Sequence, residues 1–327
     1  MTQPGGEEEW RRVHDGIRRL REAIAGVIVG QEAIVTRMLI ALLCRGHCLI
    51  IGVPGLAKTL LVSTLGRALG LSFRRIQFTP DLMPMDILGS EILQSRDSGR
   101  REFEFCPGPV FANLILADEI NRTPPKTQSA LLEAMQEKQV SVAGRTMALE
   151  EPFVVYATQN PIEHEGTYPL PEAQLDRFFF CLKIEYPSMK EEGEIVRRTT
   201  GIEAPAVAQV LDREAVLALQ RIIPGVPFPD HVLEHVLNLV HRTRPDSPLA
   251  DDYVKRYVAW GAGPRASQAL VRAARAAALL AQRPAASIEE VALIAPEILR
   301  HRIIPNYNAT GEGITADDIV KHLLNNA

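Results

Sequence analysis

The chain has 327 residues, 46% hydrophobic and 23% charged, which suffices for two domains with cores of their own and excludes wholesale disorder. A formal net charge of −4 argues against a general nucleic-acid coat, although a local basic channel fits inside that average. Cys44, Cys48, Cys106 and Cys181 contain one close pair, with no histidine at ligand spacing, and read as reduced core thiols rather than a zinc site or disulfide framework.

The opening MTQPGGEEEW is acidic and lacks the apolar core of a signal peptide, and the longest apolar stretch, 38–51, is broken by Arg45 and His47; the expectation is a cytoplasmic protein. In chain order, 7–25 reads as a charged helix and 31–45 as a helix by apolar spacing. CLIIG (48–52) reads as a buried strand entering a turn, and TLLVSTLGRALG after Lys58 as a helix stopping at Gly70. Three further apolar runs, FANLILADE (111–119), PFVVYATQN (152–160) and RFFFCLKI (177–184), are interleaved with helical pattern such as KTQSALLEAMQE (126–137). This alternation predicts a mainly parallel sheet covered on both faces. KQVSVAGRTMALEEP (138–152) predicts a hairpin turning at its Gly-Arg. Beyond Pro187 the pattern is helical, at 190–199, 212–223, 230–242, 265–282, 287–301 and 315–325. The expectation is an α/β domain over 1–186 and a smaller helical domain over 187–327.

IIGVPGLAKTLL (50–61) is close to the phosphate loop G-x-x-x-x-G-K-[ST], with Ala57 where a glycine usually precedes the lysine. Backbone N–H groups in such a turn, with the helix start behind them, form an anion site. Gly52 and Gly55 free the turn, Pro54 stiffens it, Lys58 would reach the β- and γ-phosphates, and Thr59 would hold Mg²⁺. In NLILADEIN an apolar run leads into Asp118, which would complete Mg²⁺ coordination, and Glu119, placed as general base on an attacking water. ATQNP ends a strand on Asn160, in position to contact a γ-phosphate or orient water. Arg177 in EAQLDRF could stabilise charge on a neighbouring subunit's phosphate, and Arg265 in GAGPRA would project from a helix N-terminus in the second domain.

In this order the set resembles the AAA+ ATPases. GVPGLAKT, LADEINRTPPKTQSALLEAMQE, GTYPLPEAQLDRF and GPRA resemble the MoxR family within them, over residues 10–325. The resemblance implies an α/β P-loop AAA+ core with a mainly parallel sheet, then a smaller all-α lid. It implies ATP and Mg²⁺ as cofactors, held by Gly52, Pro54, Gly55, Leu56, Ala57, Lys58, Thr59 and Leu60, with Thr59 and Asp118 on the metal. Val29 and Gly30 would wall the adenine through their backbone, and Glu119, Asn160, Arg177 and Arg265 would be catalytic. Ala57 is normal in the family, and its methyl is tolerable provided the residue does not need a positive φ. An inserted element over 86–110 and the hairpin at 138–152 would face the pore or the client. Gly263 departs from the serine expected in many relatives. The resemblance leaves open whether Arg265 acts on its own nucleotide or the neighbour's, and Arg122 reads equally as a trans contact or a surface ion pair.

The implied function is an ATPase ring, a hexamer, acting as a chaperone-like factor that matures or activates protein complexes, including by metal or cofactor insertion. Its implied partners are a von Willebrand factor A domain protein and an unidentified client. One alternative is a subunit resembling a magnesium chelatase ATPase; another is a nucleic-acid motor, which the acidic charge disfavours. A non-hydrolysing binding module is disfavoured by Glu119 and Arg177. HVLEH (231–235) matches a zinc-protease signature, but Val232, Leu233, Val236, Leu237 and Val240 are expected to form a buried face, with His231, Glu234, His235 and Asn238 opposite. RASQALVRAARAAALLAQR reads as a packing helix with a solvated basic edge rather than a nucleic-acid helix.

Overall fold

The computed structural model describes residues 4–95, 101–163, 166–201 and 206–326. Helices α1 (Pro4–Ala25) and α2 (Glu32–Leu43) precede strand β1 (Cys48–Ile51) and helix α3 (Lys58–Ala68). Then come β2 (Phe73–Gln77), α4 (Pro84–Leu88), the antiparallel pair β3 (Gly89–Ser95) and β4 (Arg101–Pro107), and β5 (Leu114–Asp118). After α5 (Pro125–Glu137) follow the hairpin β6 (Gln139–Val142) and β7 (Arg145–Ala148), then β8 (Val154–Gln159), α6 (Glu172–Leu175) and β9 (Phe180–Lys183). The rest is almost wholly helical: α7 (Met189–Thr199), α8 (Arg213–Ile222), α9 (Asp230–Arg242), α10 (Asp252–Tyr257), α11 (Pro264–Leu280), α12 (Ile288–Leu299), α13 (Tyr307–Glu312) and α14 (Ala316–Asn325). A small pair, β10 (Val258–Trp260) with β11 (Ile304–Pro305), is set among these helices.

The main sheet is wholly parallel, in the order β2-β5-β8-β1-β9. Its central strands are buried on both faces, so they read as continuous apolar runs instead of alternating ones. Alternation survives in where the side chains go. Leu114 and Leu116 pack on one face with α2 and α3, Ile115 and Ala117 on the other with α5. The first of these cores runs on without a break through α2 into α11 and α12, so the helical region shares it with the sheet. Arg37 of α2 ties the two together, pairing with Glu297 at 3.4 Å and donating to the Leu293 carbonyl at 2.8 Å.

His47, just ahead of β1, is buried and fixes three elements. Its Nε2 donates to the Met135 carbonyl at 3.1 Å, and its Nδ1 accepts from the Val155 N–H at 3.0 Å. Burial pushes its pKa down to about 4. Protonation would set an Nδ1–H against the Val155 N–H, two donors facing each other.

Several expectations change in detail. The 138–152 hairpin turns on Ala143 and Gly144, at φ 50° and 79°, one residue earlier than Gly-Arg; a two-residue loop with both φ positive matches the strand twist. The inserted element is α4 with the β3–β4 hairpin, and residues 96–100 of the 86–110 segment lie outside the described residues. Edge strand β2 escapes a reading by pattern because Arg74, Arg75 and Gln77 are exposed. On α9 the buried face is Val232, Val236, Leu239 and Val240; Leu233 and Leu237 are exposed, which corrects the face drawn from spacing. Cys44, Cys48 and Cys181 are buried, but Cys106 is exposed on β4 and is not a core thiol. No described helix is long and apolar enough to cross a membrane.

His47 gives the fold a pH dependence. Because its folded pKa lies below the unfolded value, the unfolded chain binds more protons between pH ~6.5 and 4, and stability falls as pH drops through that window, by about 3 kcal/mol for a group of this shift. Urea unfolding at pH 7 and pH 4.5 should show His47→Gln less stable at pH 7 and losing less on acidification. An unchanged pH dependence in the variant would remove His47 from the account.

Candidate active site

The parallel sheet brings three loops to one edge. The loop after β1 carries Lys58, the one after β5 carries Glu119, and the one after β8 carries Asn160; β8 lies between the other two strands. A crevice beyond the carboxyl ends of parallel strands is where such folds place ligands.

In the loop 52–59, Gly52 is pressed against the chain leaving β9. A side chain there would meet the Ile184 carbonyl at 3.1 Å and Cβ at 3.2 Å. Ala57 caps α3, its carbonyl accepting from the Leu61 N–H at 2.9 Å, and it sits in the left-handed region at φ 54°, ψ 25°. The condition attached to its methyl is therefore not met. The residue does need a positive φ, and an L-residue there carries roughly 1–2 kcal/mol of strain that glycine would not. Lys58 folds onto the Gly52 carbonyl at 2.5 Å. Burial pulls its pKa down, while Asp118 and Glu119 pull it up. Thr59, second in α3, is half-buried, and Leu56 is buried.

Asp118 ends β5 and is held at both oxygens. Thr158 Oγ1 donates to Oδ1 at 2.6 Å, and Arg75 donates to Oδ2 at 2.6 and 3.0 Å. Glu119 turns out of the strand with φ 59°, its N–H donating to Thr158 Oγ1 at 2.8 Å. Its Oε2 accepts from Gln77 Nε2 at 2.9 Å and pairs with Arg122 Nε at 3.1 Å; Arg122 also pairs with Glu163. In this chain Arg122 is thus an ion-pair partner of Glu119. Asn160 is buried, with Oδ1 accepting from the Ile162 N–H at 3.1 Å. The turn at Val29 and Gly30 lies beside Glu191: a Cβ on Gly30 (φ 72°) would be 2.5 Å from that carboxylate. Ser188 and Glu191 form the capping box that starts α7.

Arg177 and Arg265 are elsewhere. Both are exposed and line one cavity of about 280 Å³ with Arg45, Gly46, His47, Lys138, Asp176, Phe179, Arg272 and Arg302. Gly46 and His47 precede β1, and Phe179 precedes β9, so this cavity opens at the amino ends of the strands. Lys58 lies beyond the carboxyl end of β1, roughly 13 Å along the strand at about 3.3 Å per residue. Arg265 Nη1 meets Asp176 Oδ2 at 3.1 Å.

Reasoning from motifs missed Arg75, Gln77, Thr158 and Gln128. Buried Gln128 donates to the carbonyls of Ile120, Thr123 and Tyr168, fixing the turn behind Glu119. A signal for Thr158 was present, since two residues before Asn160 on a strand is the same face. Among the described residues no group of three or more His, Cys, Asp or Glu could hold a metal. Thr59 and Asp118, hard oxygen donors beside a phosphate loop, do suit Mg²⁺, which takes few protein ligands plus phosphate oxygens.

The model of the ATPase family associated with various cellular activities (AAA) matches residues 47–180, and that of the AAA lid domain matches 250–323. The chain is 47% identical to Chaperone MoxR1 of Mycobacterium tuberculosis over 98% of its own length and 84% of that protein's. The chain belongs to the MoxR family of AAA ATPases. Protein MoxR of Paracoccus denitrificans is 31% identical, covering 92% of this chain and 93% of the relative. A crystal structure from Cytophaga hutchinsonii, described as an ATPase, superposes with a TM-score of 0.93 at 41% identity, over 99% of this chain and 97% of that one. This MoxR-family chain is accordingly a nucleotide-binding, ATP-hydrolysing enzyme with an AAA core and a helical lid.

The strain at Ala57 is measurable. Ala57→Val, β-branched in a left-handed turn, should lower the stability of the nucleotide-free protein by more than about 1 kcal/mol, whereas Ala57→Gly should leave it unchanged or raise it. Thermal unfolding of the two variants checks this; a valine variant as stable as the parent would rule the strain out.

Proposed function

We propose that this ATPase works as a ring, a hexamer, in which each nucleotide is hydrolysed between two protomers. The observation that carries the reading is the separation just described. Lys58, Asp118 and Glu119 gather at one edge of the sheet, while Arg177 and Arg265 share a basic cavity at the other. An arginine at the opposite end of the strands from its own phosphate loop is placed to serve a neighbour's nucleotide. The same separation supports a trans role for Arg265.

In this reading the backbone of Gly52–Leu60 and the start of α3 cradle the phosphates, and Val29 and Gly30 border the base. Thr59 and Asp118 hold Mg²⁺, which when bound neutralises developing charge on the phosphate oxygens. Glu119 takes the proton of the attacking water once its carboxylate leaves Gln77 and Arg122, and Asn160 donates its amide to the γ-phosphate or that water. Arg177 and Arg265 of the adjoining protomer stabilise the charge that builds as the bond breaks. We place the working boundary between core (1–186) and lid (187–327), within the segment between β9 and α7. The client role we assign is chaperone-like maturation or activation of protein complexes in the cytoplasm, metal or cofactor insertion included, with a von Willebrand factor A domain protein as partner. Its support is the 47% identity to Chaperone MoxR1 of Mycobacterium tuberculosis, a relative named as a chaperone.

Glu119→Gln should bind ATP and lose turnover by about 10²–10⁴-fold, the usual range for a general base. Arg177→Ala should lose about 10³-fold or more in turnover with nucleotide affinity nearly kept. Turnover assays beside binding of a fluorescent ATP analogue check both; loss of binding in Arg177→Ala would mean that it acts on its own nucleotide. Client capture by the ATP-loaded Glu119→Gln protein, absent with ADP, tests the chaperone role.

A further inference from the structure

Asp176 stands one residue before Arg177 and receives two lid arginines. Arg265 Nη1 meets Oδ2 at 3.1 Å, and Arg302 Nε meets Oδ1 at 2.8 Å. Arg302 lies in the turn between α12 and β11, with its side chain only 4% exposed. Its remaining N–H groups go to main-chain oxygens, of Asp176 at 3.3 Å, Phe178 at 2.7 Å, Phe179 at 3.4 Å and Ile298 at 2.5 Å. His301 Nε2 donates to the same Phe178 carbonyl at 3.0 Å. The backbone on both sides of Arg177 therefore hangs from one turn of the lid. A planar guanidinium with five donors can span these acceptors; an ammonium cannot.

The same turn reaches the other end of β9. Arg300 donates to the Cys181 carbonyl at 3.0 Å and to Asp317 at 2.8 Å, and Asp317 pairs with Lys183, which lies opposite Ile51 at the mouth of the phosphate loop. Residues 300–302 thus grip β9 near its own nucleotide site and also hold the segment that faces the neighbour.

We propose that Asp176 and Arg302 are positioning residues for Arg177 and Arg265, carrying the lid's position in one protomer to the catalytic arginines that act on the next protomer's ATP. This rests on the trans reading of Arg177 and Arg265 given above. Simple adhesion between core and lid would explain a buried arginine. It does not explain why the acceptors cluster around Arg177, or why Arg265 shares the one carboxylate. In the proposed arrangement the two trans arginines move as a pair, and their shared geometry is set from inside the lid.

The test uses mixed rings. Arg302→Gln and the milder Asp176→Asn should bind a fluorescent ATP analogue at near parental affinity, with kcat down about 10- to 100-fold and KM changed little, as for a misplaced catalytic group. Arg302→Lys should recover only part of kcat. Each variant is then mixed with Glu119→Gln protein, which cannot hydrolyse its own ATP but presents intact arginines. The mixture should exceed the sum of the separate activities, as a control mixture of Arg177→Ala with Glu119→Gln should. A variant that acts only by loosening its own protomer would show no such gain. If the control gains and the Asp176→Asn mixture does not, the positioning role is overturned while the trans reading stands. If the control also fails to gain, the trans reading itself is wrong. Should Arg302→Gln not fold by circular dichroism, the Asp176→Asn mixture decides.

Discussion

Strand β9 is the element on which the rest depends. One side pairs with β1, the strand that launches the phosphate loop; the other is a sheet edge whose outward carbonyls need donors. The lid supplies them, Arg300 at Cys181 and, just ahead of the strand, Arg302 at Phe179. Capping an edge and attaching a second domain are here the same act. A change in the angle of the lid is therefore felt by the strand next to the phosphate loop, and that strand begins three residues after Arg177.

The edge of the sheet that carries the phosphate loop has two left-handed residues that are not glycine, Ala57 and Glu119. Ala57 starts a regular element and Glu119 follows the end of one. After Ala57 the helix α3 starts with its N–H groups toward the loop; at Glu119 the chain leaves β5, so that adjacent carboxylates diverge. Asp118 stays under Thr158 while Glu119 swings to Gln77 and Arg122. Backbone strain of this kind persists only where surrounding contacts over-determine it, and at Glu119 those contacts are Thr158 and Gln128.

Much of this was legible in the residues, for identifiable reasons. The buried parallel strands announce themselves because both faces are covered, so CLII, LILAD and VVYATQ need no alternation. The lid helices carry clean periodicity, and the phosphate loop and acidic pair have fixed spacing to the elements around them. What stayed hidden depends on tertiary partners. β2 is a polar edge strand, recognisable only beside β5, and Arg75 and Gln77 matter only because that pairing sets them against Asp118 and Glu119. The sign of φ at Ala57 is a property of the closed loop, which no local preference of alanine would suggest. Leu233 and Leu237 misled for the opposite reason: spacing places them beside the apolar stripe, but they are exposed and no described element covers them.

The cavity shared by Arg177 and Arg265 is short of counter-ions. Among the described residues Arg45, Lys138, Arg177, Arg265, Arg272 and Arg302 line it with Asp176 as the one acidic member, and Glu151 outside it answers Arg45 and Lys138. Like charges brought together in a recess repel one another, and two carboxylates relieve only part of this in a bare protomer. In a ring built as proposed, the adjoining triphosphate is the missing anion. The nucleotide then acts as electrostatic mortar between protomers as well as fuel, and hydrolysis with loss of phosphate would weaken that joint.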